Sequence, residues 1–348
     1  MKKALLILMI VFISATLCSC RDNETPTLSA GFLCANNMIN DKGLNQAVWD
    51  GLSNASKSYG IITEYSYYSD TGSESVKDAF NELYQKGCRM IFATDYRLSA
   101  SLEKLQKTYK DCKFVCIGFG LSNIASNTLC LTFAEHEAAF VAAVAAAKEL
   151  QTGEIACILG MDVPSAQRYL NGLKSGIEYS NRVLGTNITF NESGAVFIGS
   201  YNDPSLAYSV AEQMYSGNVN CIFTDGQKTG DGVYAAAINA DKVGLDAYVI
   251  GTETDNYHKG CFVENTDSVS LCSALFNYKT AVEYPIAKYT SGLFGGGKLI
   301  NLNCATDGIG PFENTPNLVS ASVDAANTVI AKIKQGEIIV KDPVSLLD

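Results

Sequence analysis

The sequence predicts an α/β protein built from two parallel sheets covered by helices, and three observations carry that expectation. Short apolar runs alternate with helical stretches along most of the chain, which is the pattern of parallel strands joined by crossover helices. There are ten such runs, more than one twisted sheet holds comfortably, and they divide into two sets near 130–136. Helix-start signals also follow the strands: Asn202-Asp203-Pro204 sets a capping residue before a proline at the first helical position, and Thr229-Gly230-Asp231-Gly232 precedes an Ala-rich helix.

In chain order, the first set of strands is 29–34, 61–66, 89–93, 113–118 and 128–133, with helices at 44–58, 74–86 and 97–108. Phe114-Val115-Cys116-Ile117 exemplifies these runs. The helix at 136–149 carries the alanine-rich stretch Ala138 to Ala147 between Glu137 and Lys148. That stretch is far short of the roughly 20 residues of a membrane span, so it reads as a buried helix. The second set of strands is 154–159, 194–199, 219–224, 247–251 and 268–273, with helices at 164–181, 204–216, 230–240 and 276–292. In doubly wound sheets, ligands bind at the carboxyl ends of the strands. Two such lobes would share a cleft along that edge.

Composition narrows the function. The 348 residues hold 36 Asp+Glu against 26 Lys+Arg, a formal charge of −10, and 47% are hydrophobic. The chain is therefore globular, and nothing in it offers the basic patch that nucleic acid requires. Its two histidines, His136 and His258, make His-rich zinc sites and His-based catalysis poor expectations. Neither a Gly-x-x-x-x-Gly-Lys-Ser/Thr loop nor a Gly-x-Gly-x-x-Gly after the first strand occurs. His136-Glu137 lacks the second histidine of a zincin, and no Gly-x-Ser-x-Gly elbow is present. Two lobes without a catalytic set point to binding, with no enzyme activity, cofactor or metal expected.

Residues 1–19 read as an export signal: Lys2 and Lys3, then an apolar run. Its end, Leu17-Cys18-Ser19-Cys20, resembles a bacterial lipobox. That resemblance implies a lipid on Cys20 and a polar tether over 20–28. No later stretch has the length and apolarity of a membrane span, so attachment to the bacterial cell membrane would rest on the lipid. Of twelve cysteines, Cys18 leaves with the signal and Cys20 takes the lipid. Most others lie in apolar strands such as Ala156-Cys157-Ile158-Leu159 and Asn220-Cys221-Ile222-Phe223, and are expected as free buried thiols.

Several segments, in order, resemble the basic membrane protein family of lipoproteins, the substrate-binding proteins of ABC importers whose best understood members bind purine nucleosides. They are Asn40-Asp41-Lys42-Gly43-Leu44-Asn45-Gln46-Ala47-Val48-Trp49-Asp50-Gly51, Glu135-His136-Glu137-Ala138-Ala139-Phe140, and Leu159-Gly160-Met161-Asp162-Val163-Pro164 followed by Gly172 and Gly176. Asn202-Asp203-Pro204, Thr229-Gly230-Asp231-Gly232-Val233, Val249-Ile250-Gly251-Thr252-Glu253-Thr254-Asp255, Gly296-Gly297 and Glu313-Asn314-Thr315-Pro316-Asn317 continue the series. The resemblance implies a type I periplasmic-binding fold of two Rossmann-like lobes. The expected division is 29–132 plus 257–300 for the first lobe and 133–256 plus 301–348 for the second, with crossings near 132–136, 253–258 and 300–306. Permease and ATPase subunits would be the partners. A surface lipoprotein acting as an adhesin or sensor without transport is the alternative.

The family's pocket pattern is met only in part. Of its two stacking rings, one position holds Leu44 and the other Phe223. Positions of base-reading carboxylates hold Ala35 and Gly118, the ribose-binding carboxylate is matched by Glu253, and Phe276 stands where the family has a lysine. Common purine nucleosides are therefore expected to bind more weakly than in members with both rings and the lysine. Read by themselves, Asn45 and Asp41 sit at the start of the first helix, where they either contact ligand or cap that helix. Asp95, Glu253 and Asp255 follow strands at the cleft edge, Phe223 ends one, and Phe276 offers an aromatic wall. Together these eight positions form the expected ligand set.

Overall fold

The computed structural model describes residues 28–35, 38–190, 194–225, 227–263, 266–310 and 316–344; the signal segment, Cys20 and Glu313-Asn314-Thr315 lie outside them. Two six-stranded sheets form the frame. The first contains β1 (Ser29–Ala35), β2 (Ile62–Tyr68), β3 (Met90–Ala93), β4 (Lys113–Ile117), β5 (Thr128–Phe133) and β12 (Lys298–Leu302), in the order β12-β5-β4-β3-β1-β2. The second contains β6 (Thr152–Leu159), β7 (Asn187–Thr189), β9 (Cys221–Thr224), β10 (Tyr248–Glu253) and β11 (Ser270–Leu275), in the order β11-β10-β9-β6-β7, with β8 (Ala195–Phe197) also pairing with β6. All these ladders are parallel. Helices, among them α2 (Ser73–Gln85), α3 (Ser99–Thr108), α6 (Pro204–Ser216) and α7 (Gln227–Lys242), cover both faces, so central strands such as β3 and β9 are buried throughout and read as unbroken apolar runs. Nine of the ten cysteines in the described residues are buried.

In the second lobe, α4 (Glu135–Leu150) is buried from Ala138 through Ala147. It packs on α5 (Pro164–Tyr179), β11 and α9 (Ser320–Lys334), so it is apolar on every side. Close approach of α4 and α5 depends on two glycines. A Cβ at Gly172 would stand 2.1 Å from the carbonyl oxygen of His136, and one at Gly176 would stand 2.6 Å from that of Phe140.

The chain leaves the first sheet after Phe133, returns after Leu275 and leaves again after Leu302. The second of these crossings corrects the expected one at 253–258. The polar segment after Glu253 stays with its own lobe: a 3-10 turn at Tyr257–Gly260 and a bridge between Cys261 and Ser268 lead into β11, which pairs with β10. Residues 257–275 thus belong with the second sheet, and α8 (Tyr278–Thr290) returns to pack on α1 (Leu44–Tyr59) of the first. β12 keeps residues 301 and 302 with the first sheet. Backbone bonds tie the crossings together: Ala134 N–H donates to Leu302 O at 2.9 Å, and Asn277 N–H donates to Gly308 O at 2.9 Å.

Candidate ligand site

Strand ends, helix starts and crossing segments meet in a cleft with two connected chambers. The aromatic chamber, of about 290 Å³, is lined from the first lobe by Leu44, Thr94, Tyr96, Gly118 and Phe119. The second lobe contributes Ser165, Tyr169, Tyr201, Asp225, Gln227 and Glu253, and the crossings contribute Phe133, Glu135, Phe276 and Tyr278. The polar chamber, of about 420 Å³, shares Leu44, Asp225, Gln227 and Glu253 with it, and adds Asp41, Asn45, Lys228, Asp231 and Lys259 among others. The chambers fall in or near the range of small-ligand sites, ~300–1,000 Å³. Most aromatic-chamber residues lie at or just beyond the carboxyl end of a strand, as the parallel topology dictates.

Aromatic rings make one wall. Phe133 and Phe276 stack with centroids 4.4 Å apart and planes 5° apart, while Tyr169 lies 6.3 Å from Phe276 at 14°. Phe276 is held by its backbone N–H, which donates to Glu253 O at 2.9 Å. The Tyr169 side chain is 3% exposed and its hydroxyl has no hydrogen-bond partner.

Three carboxyl groups share this space. Burial pushes Glu135 up to about 7, an effect offset in part by Arg168 at 3.8 Å. Burial likewise raises Asp225 to about 6, although it accepts a 2.7 Å hydrogen bond from Gly160 N–H. Glu253 rises to about 7 through burial and the Asp225 charge, with Lys259 acting the other way. Glu253 also holds φ at +69°, a left-handed conformation that a residue with a Cβ adopts at a cost of about 1–2 kcal/mol. Strain of this sort gathers at functional sites.

The expected ligand residues separate into three groups. Leu44, Glu253 and Phe276 line the aromatic chamber. Asp41 and Asn45 line the polar chamber but are bound to the protein's own groups. Asp41 accepts from the backbone N–H of Gly43, Asn45 and Gln46, and from Asn45 Nδ2 at 2.9 Å, while Asn45 Oδ1 accepts from the Thr94 hydroxyl at 2.6 Å. They shape the start of α1.

Phe223, Asp95 and Asp255 line neither chamber, which corrects their expected role. Phe223 is fully buried behind Tyr169, at 5.6 Å between centroids; strand alternation turns its ring into the core that α4 and α5 cover. Asp95 is engaged by Arg97 at 2.6 Å and the Tyr68 hydroxyl at 2.9 Å. Asp255 accepts from Tyr257 N–H at 2.9 Å and forms a turn.

The chamber also holds Phe133, Glu135, Asp225, Tyr169, Tyr201 and Tyr278, none of them in the expected set. Glu135 and Asp225 do have a sequence signal, since each stands within two residues of an apolar strand's end. Tyr169 comes from the second turn of a helix and Tyr201 from a loop, where nothing in the sequence distinguishes them.

Two lobes with three crossings, and a cleft of aromatic and acidic side chains between them, define a small-molecule-binding protein. The chain belongs to the PnrA-like family of ABC transporter substrate-binding proteins, whose model matches residues 29–343. A Lactococcus lactis protein named ABC transporter nucleoside-binding protein BmpA is 25% identical over 333 residues, covering 91% of this chain and 93% of that one. Basic membrane protein A of Borreliella burgdorferi is 26% identical over 352 residues, covering 98% and 96%.

Solved structures agree on the fold. An ABC transporter solute-binding protein from Aeropyrum pernix aligns with a TM-score of 0.66 at 20% identity, covering 91% of this chain and 94% of its own. One from Conexibacter woesei aligns at 0.70 and 12%, covering 91% and 99%. By that family membership the protein is a non-catalytic substrate-binding component of an ABC transporter, a class that hands a small solute to a permease and its ATPase. Among the described residues, no helix is long and apolar enough to cross a membrane.

Proposed function

We propose that the protein captures a nucleoside or nucleobase in the cleft and delivers it to the permease. The observation that carries this reading is the stacked column of Phe133, Phe276 and Tyr169 beside the Glu253 carboxyl group in one chamber. A flat ring packs against aromatic faces, and hydroxyl groups donate to a carboxylate through charge-assisted hydrogen bonds. The nucleoside-binding name of the Lactococcus lactis relative supports the same reading. Ligand touching both lobes would favour the closed state by its differential affinity.

Calorimetry against a panel of purine and pyrimidine nucleosides, their bases, a pentose and an amino acid tests it. The expected result is saturable one-to-one binding by at least one nucleoside or base, tighter than any binding of the pentose. Binding of the pentose alone, or of none of the ring-bearing compounds, would overturn the reading.

The lipid on Cys20 belongs to the same proposal, since the lipobox-like Leu17-Cys18-Ser19-Cys20 offers a way to keep the protein at the membrane. Cys20→Ala is expected to move the protein from the membrane fraction to the soluble fraction. An unmodified Cys20 in the intact mass of the mature native protein would contradict this.

A further inference from the structure

The aromatic chamber concentrates negative charge without a lining cation. Glu135, Asp225 and Glu253 all face it, and among its described lining residues there is no lysine or arginine. Two cations act on these carboxyl groups from outside the chamber. Arg168 binds Asp342 at 3.0 Å and stands 3.8 Å from Glu135, while Lys259, which bears on Glu253 from the polar chamber, binds Asp231 at 2.9 Å. The Tyr169 hydroxyl, buried and unpartnered, adds one more oxygen able to accept a donor. Phe133 and Phe276, stacked on each other with centroids 4.4 Å apart, line the same chamber.

We propose that this chamber selects solutes carrying a positive charge on or beside a flat ring, in the manner of a cationic nucleoside, over neutral or anionic solutes of the same size. The inference rests on the nucleoside reading above and refines it. Buried carboxylates only partly compensated by neighbouring cations are costly, and in the empty protein that cost appears as the raised values of Glu135, Asp225 and Glu253. A cationic ring would supply the missing charge while its face lies on the aromatic wall, an arrangement that ring quadrupoles favour. A phosphorylated solute would bring further negative charge into the same space and be rejected.

A pair of closely similar probes varies the ring charge. Nicotinamide riboside carries a pyridinium cation, and its dihydro form is neutral with the same substituents. Calorimetry on the full mature protein near pH 7.5, where the three carboxyl groups are largely ionised, is expected to show the cation binding about tenfold tighter or more. In the Glu135→Gln/Glu253→Gln double variant the preference should shrink to within about threefold. Equal or tighter binding of the dihydro form by the unaltered protein would overturn the charge inference, whatever the variant does. If uncharged nucleosides from the panel bind and the cation does not, this inference alone falls. If no nucleoside of any charge binds, the nucleoside reading falls and takes this inference with it.

Discussion

Glu253→Gln is expected to stabilise the empty protein at pH 8 while weakening its ligand. The carboxyl group stands at about 7 in the folded chain against an ordinary 4.5. A raised value means that its contribution to stability is fully present below the unfolded value and is lost as pH rises through the folded one. The window is therefore roughly pH 4.5 to 7, and above it the buried charge costs about 3 kcal/mol. Glutamine keeps the shape and carries no charge. At pH 8 the variant's Tm should lie about 5–10 °C above that of the unaltered protein, and at pH 4 the two should nearly coincide. Ligand affinity should fall by about 1.5–3 kcal/mol, the contribution of hydrogen bonds to a charged group. Thermal unfolding across this pH range, followed by calorimetry, checks both halves. A lower Tm for the variant at pH 8 would mean that the folded protein uses the charge for its own stability.

Gly172→Ala is expected to act in the other direction, and on fold and site together. The added methyl would meet the His136 carbonyl oxygen at 2.1 Å, and a backbone atom cannot turn aside as a flexible side chain can. The helices α4 and α5 would have to separate, costing about 3 kcal/mol or more and lowering Tm by about 6–12 °C. Because α4 begins with Glu135 and α5 carries Tyr169, the same displacement reaches the aromatic chamber. Denaturant unfolding should show the lost stability, and ligand affinity should drop although Gly172 lines neither chamber. An unchanged midpoint would show that the two helices tolerate the shift.

Much of the frame is legible in the sequence because parallel, doubly covered strands are apolar from end to end. β3, β4 and β9 announce themselves, and the capping aspartate and proline of Asp203-Pro204 mark a helix start, with Asp203 accepting from Leu206 N–H at 3.0 Å. Three elements are not legible. β7 is three residues long, too short for a pattern. β12 is largely exposed and is a strand because β5 pairs with it. α9 opens Ser320-Ala321-Ser322, a polar, small-residue start whose helix is stabilised by the apolar face it packs on α4.

Site residues follow the same logic. A strand-end position such as Glu253 is readable, since the fold class alone places strand ends at the cleft, whereas Phe276, expected at a helix start, is singled out only by its match to the family's lysine. Phe223 misleads because strand alternation turns its ring into the core, and the chain reaches the chamber only past the strand's end, at the buried carboxyl group of Asp225. The second crossing misleads for a related reason: the polar turn after Glu253 has the composition of a lobe boundary, yet β10 has a free side for one more parallel strand, and β11 takes it.

Capture of a ring-bearing solute between two lobes is the central claim, and mass spectrometry of what the protein holds tests it most directly. Protein purified gently from its native host, denatured, and its released small molecules compared with those from a Glu253→Gln, Phe276→Ala variant, should yield a base-bearing compound at close to one per chain from the unaltered protein and far less from the variant. Release of a sugar, peptide or lipid in its place, or equal amounts of the same compound from both proteins, would contradict the account.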